Sequence, residues 1–399
     1  MLTKEREARL IQCCSDLVRT KSYSGKEAQI AGQLKRIFEQ GGCPDVTIDE
    51  YGSITARFMG KRPGKTLLLD AHIDTVPVTD PSKWQIDPFG GVVQDGRIYG
   101  RGASDMKGAL SAMIAAVEHF IADTSNDFDG KIIVAGVVQE EAFEGVASRS
   151  ISNRFKPDCV VIGEASNLNL NLGQRGRAEI VVETFGKPAH SANPKAGLNA
   201  VYKMAKLIDA IRGLSIDRHP VLGDGILELT DIQSSPYPGL SVVPEYCKAT
   251  YDRRLLIGET KENVLAPILD LIAAFEGEDP DFKAEASYAV GKETCYTDTP
   301  IQAERFFPAW IYDENDDFVQ TAFRGLNEAG LDPKISHYSF CTNASHYAGE
   351  ARIKTIGFGP SEECQAHVNN EYIEISHLLD ACKGYYGILN AVLNGNMTL

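Results

Sequence analysis

Two short runs, KTLLLDAHID (65–74) and KIIVAGVVQE (131–140), are almost uninterruptedly apolar and then end in acidic residues. Strands buried on both faces of a largely parallel sheet carry this pattern, because helices cover the sheet on either side. A third run, VVIGEAS (160–166), ends on Glu164 in the same way. Around these runs the period changes to that of helices. Residues 4–20 and 25–40 repeat their apolar positions at helical spacing, the second segment with Ser24 as a candidate N-cap. KGALSAMIAAVEHFIA (107–122) predicts an amphipathic helix between the first two strands.

From about Arg177 the pattern becomes different again. AEIVVETFG alternates as a half-buried strand does, and GLNAVYKMAKLIDAIRGL is helical. GILELTDIQS and EYCKATYDRRLL follow as strands, ETKENVLAPILDLIAAFE as a helix and FKAEASYAV as a last strand. This βαββαβ order is the ferredoxin-like pattern and fills a small α+β domain over 177–290. Helix and strand signals then return in FVQTAFRGLNEAG, RIKTIGFGP and a terminal helix after Asn370. The simplest organisation is one α/β domain with a mostly parallel sheet, made of 1–176 and 291–399, with 177–290 inserted.

The 399 residues suffice for two domains without a disulfide or structural metal to hold the core. The formal charge of −15 argues against nucleic acid or an anionic membrane as partner. Nine scattered cysteines lack any C-x-x-C spacing, which points away from thiolate zinc and towards a reducing, cytoplasmic home. The N-terminal segment has no signal-peptide core, and no apolar run reaches membrane-spanning length.

Chemistry gathers at the ends of the apolar runs, where α/β sheets place their sites. His72-x-Asp74 ends the first, Glu140-Glu141 the second and Glu164 the third, while Asp105 precedes a helix and His367 lies before the terminal one. Each has an ordinary reading taken alone: a satisfied strand-end histidine, or a helix-capping aspartate. Adjacent carboxylates such as Glu140 and Glu141 are costly to bury without a neutralising cation. In a regular strand they would point to opposite faces, so a shared site requires a break just there. Together these residues form a set of imidazoles and carboxylates suited to a first-row divalent ion, and rich enough for two.

The blocks HIDTVP, GRGASDMKG, QEEAFEG, GEAS and AHVNNEY resemble, in order, the metal-site blocks of the M20 family. That family includes carboxypeptidase-like enzymes, acetylornithine deacetylase and succinyl-diaminopimelate desuccinylase. The resemblance implies a zinc-exopeptidase-like catalytic domain and an inserted ferredoxin-like domain serving as lid and dimerisation surface. It implies two zinc ions, with cobalt or manganese as substitutes. His72 and Glu164 would hold one ion, Glu141 and His367 the other, and Asp105 would bridge. Glu140 resembles the general base that takes a proton from metal-bound water, and Asp74 the acid that orients His72. The peptide after the bridging aspartate, Asp105–Met106, is expected to be cis. His190, in GKPAHSANPKAGLNA, resembles the lid histidine that stabilises the oxyanion, often from the partner subunit of a homodimer. Arg254, in DRRLLIGET, resembles a substrate-carboxylate binder; alternation puts its neighbour Arg253 on the other face.

The expected function is hydrolysis of a C–N amide bond in a small molecule, a dipeptide or an N-acyl amino acid. Hydrolysis of a carbamoyl or ureido compound is the alternative within enzymes, and a non-catalytic metal-binding relative the alternative outside them. The family's Asn-Val-x-Pro block appears as Ser241-Val242-Val243-Pro244, its Gly-Thr-Asp-Ala block as Cys341-Thr342-Asn343-Ala344, and Ile257 replaces a proline. These departures touch substrate recognition rather than the metal set. Asn343 and the nearby His346 are candidate substrate contacts, with a structural role for His346 standing equally beside that. GRAEIVVETFGKPAHSANP and CTNASHYAG resemble a hydrolase subgroup named after selenium metabolism.

Overall fold

The computed structural model describes residues 2–395. The chain divides into two compact units, Met1–Gln174 with Lys292–Gln302 and Trp310–Leu399, and Arg175–Gly291 with Ala303–Ala309.

The first unit opens with helices α1 (Lys4–Arg19) and α2 (Ala28–Gln40) and strands β1 (Asp45–Ile48), β2 (Ile54–Met59) and β3 (Arg62–His72). Helix α3 (Gly108–Thr124), β4 (Asp129–Val137), α4 (Ser148–Phe155), β5 (Cys159–Ile162) and β6 (Leu170–Gln174) follow. Ser24 does not cap α2. That helix starts behind Glu27, which makes no side-chain capping bond. The Ser24 hydroxyl instead donates to the buried Asp74 carboxylate at 2.7 Å, a charge-assisted hydrogen bond.

The second unit runs through β7 (Gly176–Phe185), α5 (Ala200–Arg212), β8 (Ile226–Ser235), β9 (Tyr246–Leu255), α6 (Lys261–Glu278) and β10 (Lys283–Tyr288). Its antiparallel sheet has the order β8-β9-β7-β10, with Phe306–Phe307 added against β7. Strand β9 alternates as its sequence does: Cys247, Ala249, Tyr251, Arg253 and Leu255 are buried, and the residues between them are half-buried. The apolar set meets Met204 and Leu207 of α5 and Ile268 and Ile272 of α6 in one core. Helix α6 opens on a reciprocal capping box between Thr260 and Asn263.

The chain then completes the first unit with β11 (Trp310–Ile311), α7 (Asp317–Glu328), β12 (Ile335–Tyr338), β13 (Lys354–Gly357) and α8 (Ile375–Leu393). The resulting nine-stranded sheet has the order β1-β2-β4-β3-β5-β13-β6-β11, with β12 beside β6. Strands β4, β3, β5 and β13 are mutually parallel. The β1–β2, β2–β4, β13–β6 and β6–β11 pairs are antiparallel. The sheet is therefore mixed: the central strands match the expectation of parallel pairing, and the flanking strands do not. At the centre, Leu68 aligns with Ile133 on one side and Val160 on the other, all fully buried. Each such side chain contributes about 1.5–3 kcal/mol of hydrophobic stabilisation. Helices α3 and α8 pack on each other and on β3, which is why the central runs carry no polar alternation.

Candidate metal centre

Three adjacent parallel strands, β4, β3 and β5, deliver their carboxyl ends to one edge of the sheet. His72 is the last residue of β3, Glu140 and Glu141 follow the end of β4, and Glu164 follows the end of β5. The break required after β4 is present: Gln139 adopts φ +59°, so the two glutamates leave the strand's alternation. Asp74 fixes this turn. Its carboxylate accepts from the backbone N–H groups of Glu140 at 3.1 Å and Glu141 at 3.2 Å. Asp105 lies in the turn between Gly102, at φ +87°, and α3; a Cβ on Gly102 would stand 2.9 Å from Thr75. The Asp105–Met106 peptide is cis, as expected. His367, at φ +61°, comes from the loop before α8.

These side chains converge. His72 Nε2 lies 2.8 Å from Asp105 Oδ1 and 3.5 Å from Glu164 Oε1. His367 Nε2 lies 3.1 Å from Asp105 Oδ2 and 3.0 Å from Glu141 Oε2. Asp105 thus offers one oxygen to each imidazole. Donor atoms of His72, Glu140 and Glu164 all fall within 4.8 Å of one another, as do those of His72, Asp105 and Glu141. His72, Asp105, Glu140 and Glu164 are buried, whereas about half of the His367 side chain is exposed.

Burial in a crowd of like charge dominates the electrostatics. It pushes Glu164 up to about 8, against the pull of His72, with Asp105 and Glu141 adding to the rise. Glu140 is raised well above the ordinary range by burial, then by Glu164 and Glu141. Glu141 is raised by burial and by Asp105. For Asp105 burial acts upward too, but hydrogen bonds and charge from His367 and His72 hold its carboxyl below the usual range. Hydrogen bonds to Asp105 and Glu141 raise His367 to about 10. His72 rises despite burial, because Glu164 and Asp105 face it. Four carboxylates thus share two imidazoles, a surplus of negative charge that suits divalent cations. The nitrogen and oxygen donors fit a first-row ion.

His72 Nδ1 bonds to the Asp74 backbone carbonyl at 2.9 Å, while the carboxylate stands 3.6 Å away and serves the Glu140–Glu141 turn. Asn343 and His346 are not brought to the cluster. Asn343 donates to Asp70 at 2.9 Å and accepts from the Gly145 N–H at 2.8 Å. His346 has Ser152 on one ring nitrogen at 2.7 Å and Glu350 on the other at 2.8 Å. Both side chains have their polar atoms engaged by partners inside the fold. In the second unit, His190 is exposed and its Nδ1 accepts from the Ala192 N–H at 3.0 Å. Arg254 sits on the open face of β9, 2.9 Å from Asp252, whereas Arg253 is buried against Glu259. Sequence reasoning passed over Glu371 and the contact of Ser24 with Asp74; the signal for Glu371 was its place inside AHVNNEY, four residues after His367.

Residues 68–391 match the model for peptidase family M20/M25/M40. The uncharacterized protein YgeY of Escherichia coli (strain K12) is 31% identical over 392 residues, 96% of this chain and 94% of that protein. Succinyl-diaminopimelate desuccinylase 2 of Ruegeria sp. (strain TM1040) is 28% identical over 391 residues, 94% and 93% of the two chains. Among solved structures, aminopeptidase PepT from Bacillus cereus superposes with a TM-score of 0.75 at 20% identity, covering 97% of this chain and 98% of the other. YXEP of Bacillus subtilis, described as a dinuclear metal binding peptidase from the M20 family, superposes with a TM-score of 0.70 at 14% identity, covering 98% and 99%. With the imidazole–carboxylate cluster at its strand ends, the chain belongs to peptidase family M20/M25/M40 and is a metallohydrolase acting on C–N bonds.

Proposed function

We propose that this protein is a two-zinc hydrolase of an amide bond in a small substrate, a dipeptide or an N-acyl amino acid. The observation that carries the proposal is Asp105, whose two oxygens face two different imidazoles at 2.8 and 3.1 Å. His72 and Glu164 would hold one ion, His367 and Glu141 the other, and Asp105 both. When bound, a pair of divalent ions supplies Lewis acidity, polarising a carbonyl oxygen and acidifying water. Cobalt or manganese would offer the same donors a similar fit.

Glu140 is the general base in this reading. It takes a proton from the attacking water at its carboxylate and returns it to the leaving amine. Its backbone is held by Asp74, so its reach is set by a buried carboxylate rather than by a mobile loop. Asp74 positions both ends of the machinery, through its carbonyl to His72 and through its carboxylate to Glu140 and Glu141.

Residues 177–290 form the inserted ferredoxin-like domain in this reading, acting as lid and as the surface of a symmetric homodimer. His190 stabilises the developing oxyanion, supplied by the partner, and Arg254 binds a substrate carboxylate. Nine free cysteines support a cytoplasmic home, and no helix among the described residues is long and apolar enough to cross a membrane.

The test has two parts. Metal analysis of the purified protein, with a panel of N-acyl amino acids, dipeptides and ureido acids, should show two ions per chain and cleavage of an amide. Fewer than two sites, or cleavage of ureido acids alone, would overturn it. Mixing His190→Ala subunits with Glu140→Gln subunits should restore activity if His190 works across the dimer; none returns if it works within its own chain.

A further inference from the structure

Four residues beyond His367, the fully buried Glu371 makes four contacts with the turn that carries Asp105. Its Oε1 accepts from the backbone N–H groups of Ser104 at 2.9 Å and Asp105 at 3.1 Å. Its Oε2 accepts from the Arg101 guanidinium at 2.6 Å, and its backbone carbonyl accepts from the Gly100 N–H at 2.9 Å. Arg101 is itself buried and lies over the Trp84 ring at 5.3 Å. The next residues, Tyr372–Glu374, pair with Arg97–Tyr99, so the strand before the turn is tied to the same segment.

A carboxylate buried this deeply is expensive, and a cation plus two amides is a full set of donors for it. Fold stability alone does not require that set to lie on the backbone of Asp105. We propose that Glu371, locked by Arg101, is the positioning residue of the metal centre: it sets the Asp105 carboxylate relative to His367, so that one segment supplies both a ligand and the clamp on the bridging ligand. Glu371 touches no reacting atom. It acts through the Asp105 backbone, as outer partners of metal ligands do. This rests on the two-metal reading above.

The experiment compares wild type, Glu371→Gln and Glu371→Asp, each reconstituted with zinc or cobalt. Affinity for each ion is read by competition with a chelator, and the site geometry by the visible spectrum of the cobalt form. In Glu371→Gln the amide NH₂ replaces the oxygen that faces Arg101, so the side chain must shift. One ion should bind about 10–100-fold more weakly, with an altered cobalt spectrum and a lower kcat at unchanged KM. A purely structural role would lower Tm and leave affinity and spectrum at wild-type values in the folded protein. That result overturns the proposal. Should Glu371→Gln fail to fold, Glu371→Asp decides: it keeps the charge but falls one methylene short of the two amides. Affinity weakened by about 3-fold or more supports the clamp, and wild-type affinity overturns it. Failure of the wild type to bind two ions would count against the two-metal reading instead.

Discussion

Two histidine–carboxylate regions begin on the same face of β3, two residues apart, and they are built on opposite principles. Around Asp70 each carboxylate oxygen meets a donor, and the two hydrogen bonds oppose the burial that pushes its carboxyl up to about 6. Asn343 and the Tyr347 hydroxyl donate to its two oxygens at 2.9 and 2.8 Å. Beyond them His346 bridges Ser152 and Glu350, and Arg149 closes on Glu350 at 3.0 and 2.6 Å. Around His72, four carboxylates crowd two imidazoles, and burial drives Glu140, Glu141 and Glu164 upward. A balanced network completes the fold by itself. A cluster with surplus negative charge completes only when cations join it, and that contrast separates support from reaction centre more sharply than burial does.

The largest expected effect lies in the unbalanced cluster. Glu140→Gln should retain both ions and the fold while lowering kcat by about 10²–10⁴-fold, the scale of general acid–base catalysis. Chelation should abolish activity altogether, and added zinc should restore it to the wild type alone. Steady-state kinetics with metal analysis checks both. Near-normal turnover of the glutamine variant would remove Glu140 from the chemistry and leave the surplus of charge without a catalytic reading.

The contrast was half legible in the sequence. His72, Glu140, Glu141 and Glu164 announce themselves because unbroken apolar runs end on them, and strand ends are where α/β sheets gather function. Asp105 and His367 sit in turns with irregular backbone, where no periodicity speaks; their residue types and their places before helices made them candidates, and the family resemblance supplied their roles as ligands. Asn343 and His346 were ambiguous for a physical reason. A polar block near a site reads identically whether its donors face substrate or face Asp70, and only the partners distinguish the two. Ser24 misled, since a serine ahead of a helical run reads the same whether its oxygen caps the helix or its hydroxyl donates to Asp74. The strands β1, β2, β6 and β11, which form the antiparallel pairs flanking the parallel centre, were missed because their apolar content does not stand out from the neighbouring turns.

Asn343→Ala tests the balanced side. It leaves Asp70 Oδ1 and the Gly145 N–H without their partners in a buried setting, and should lower stability by about 2–4 kcal/mol. Denaturant unfolding measures that loss. Metal content and KM of the folded fraction should stay at wild-type values. A raised KM with unchanged stability would return Asn343 to the substrate pocket and dissolve the contrast drawn above.

The smallest effect concerns Glu350, and its sign follows from its partners. Burial acts to raise its carboxyl, but the hydrogen bonds from His346 and Arg149, with their charges, outweigh burial and hold it at about 2. The folded value therefore lies below the unfolded one of 4.5. Between these values the unfolded chain binds more protons, so stability rises with pH across the window. The contribution is complete above about pH 4.5 and fades as pH falls towards 2. The Glu350 side chain is 30% exposed and Arg149 39%, so solvent screening reduces the full linkage energy to about 1–2 kcal/mol. Urea unfolding of wild type and Glu350→Gln should differ by that amount at pH 7, and the gap should narrow steadily from pH 5 to pH 3.5. Taking the difference between the two proteins cancels the protonation of the metal cluster, which both share. A gap that stays constant with pH would mean that Glu350 contributes by packing rather than by charge, and the network behind β3 would then be balanced by shape instead of by donors and acceptors.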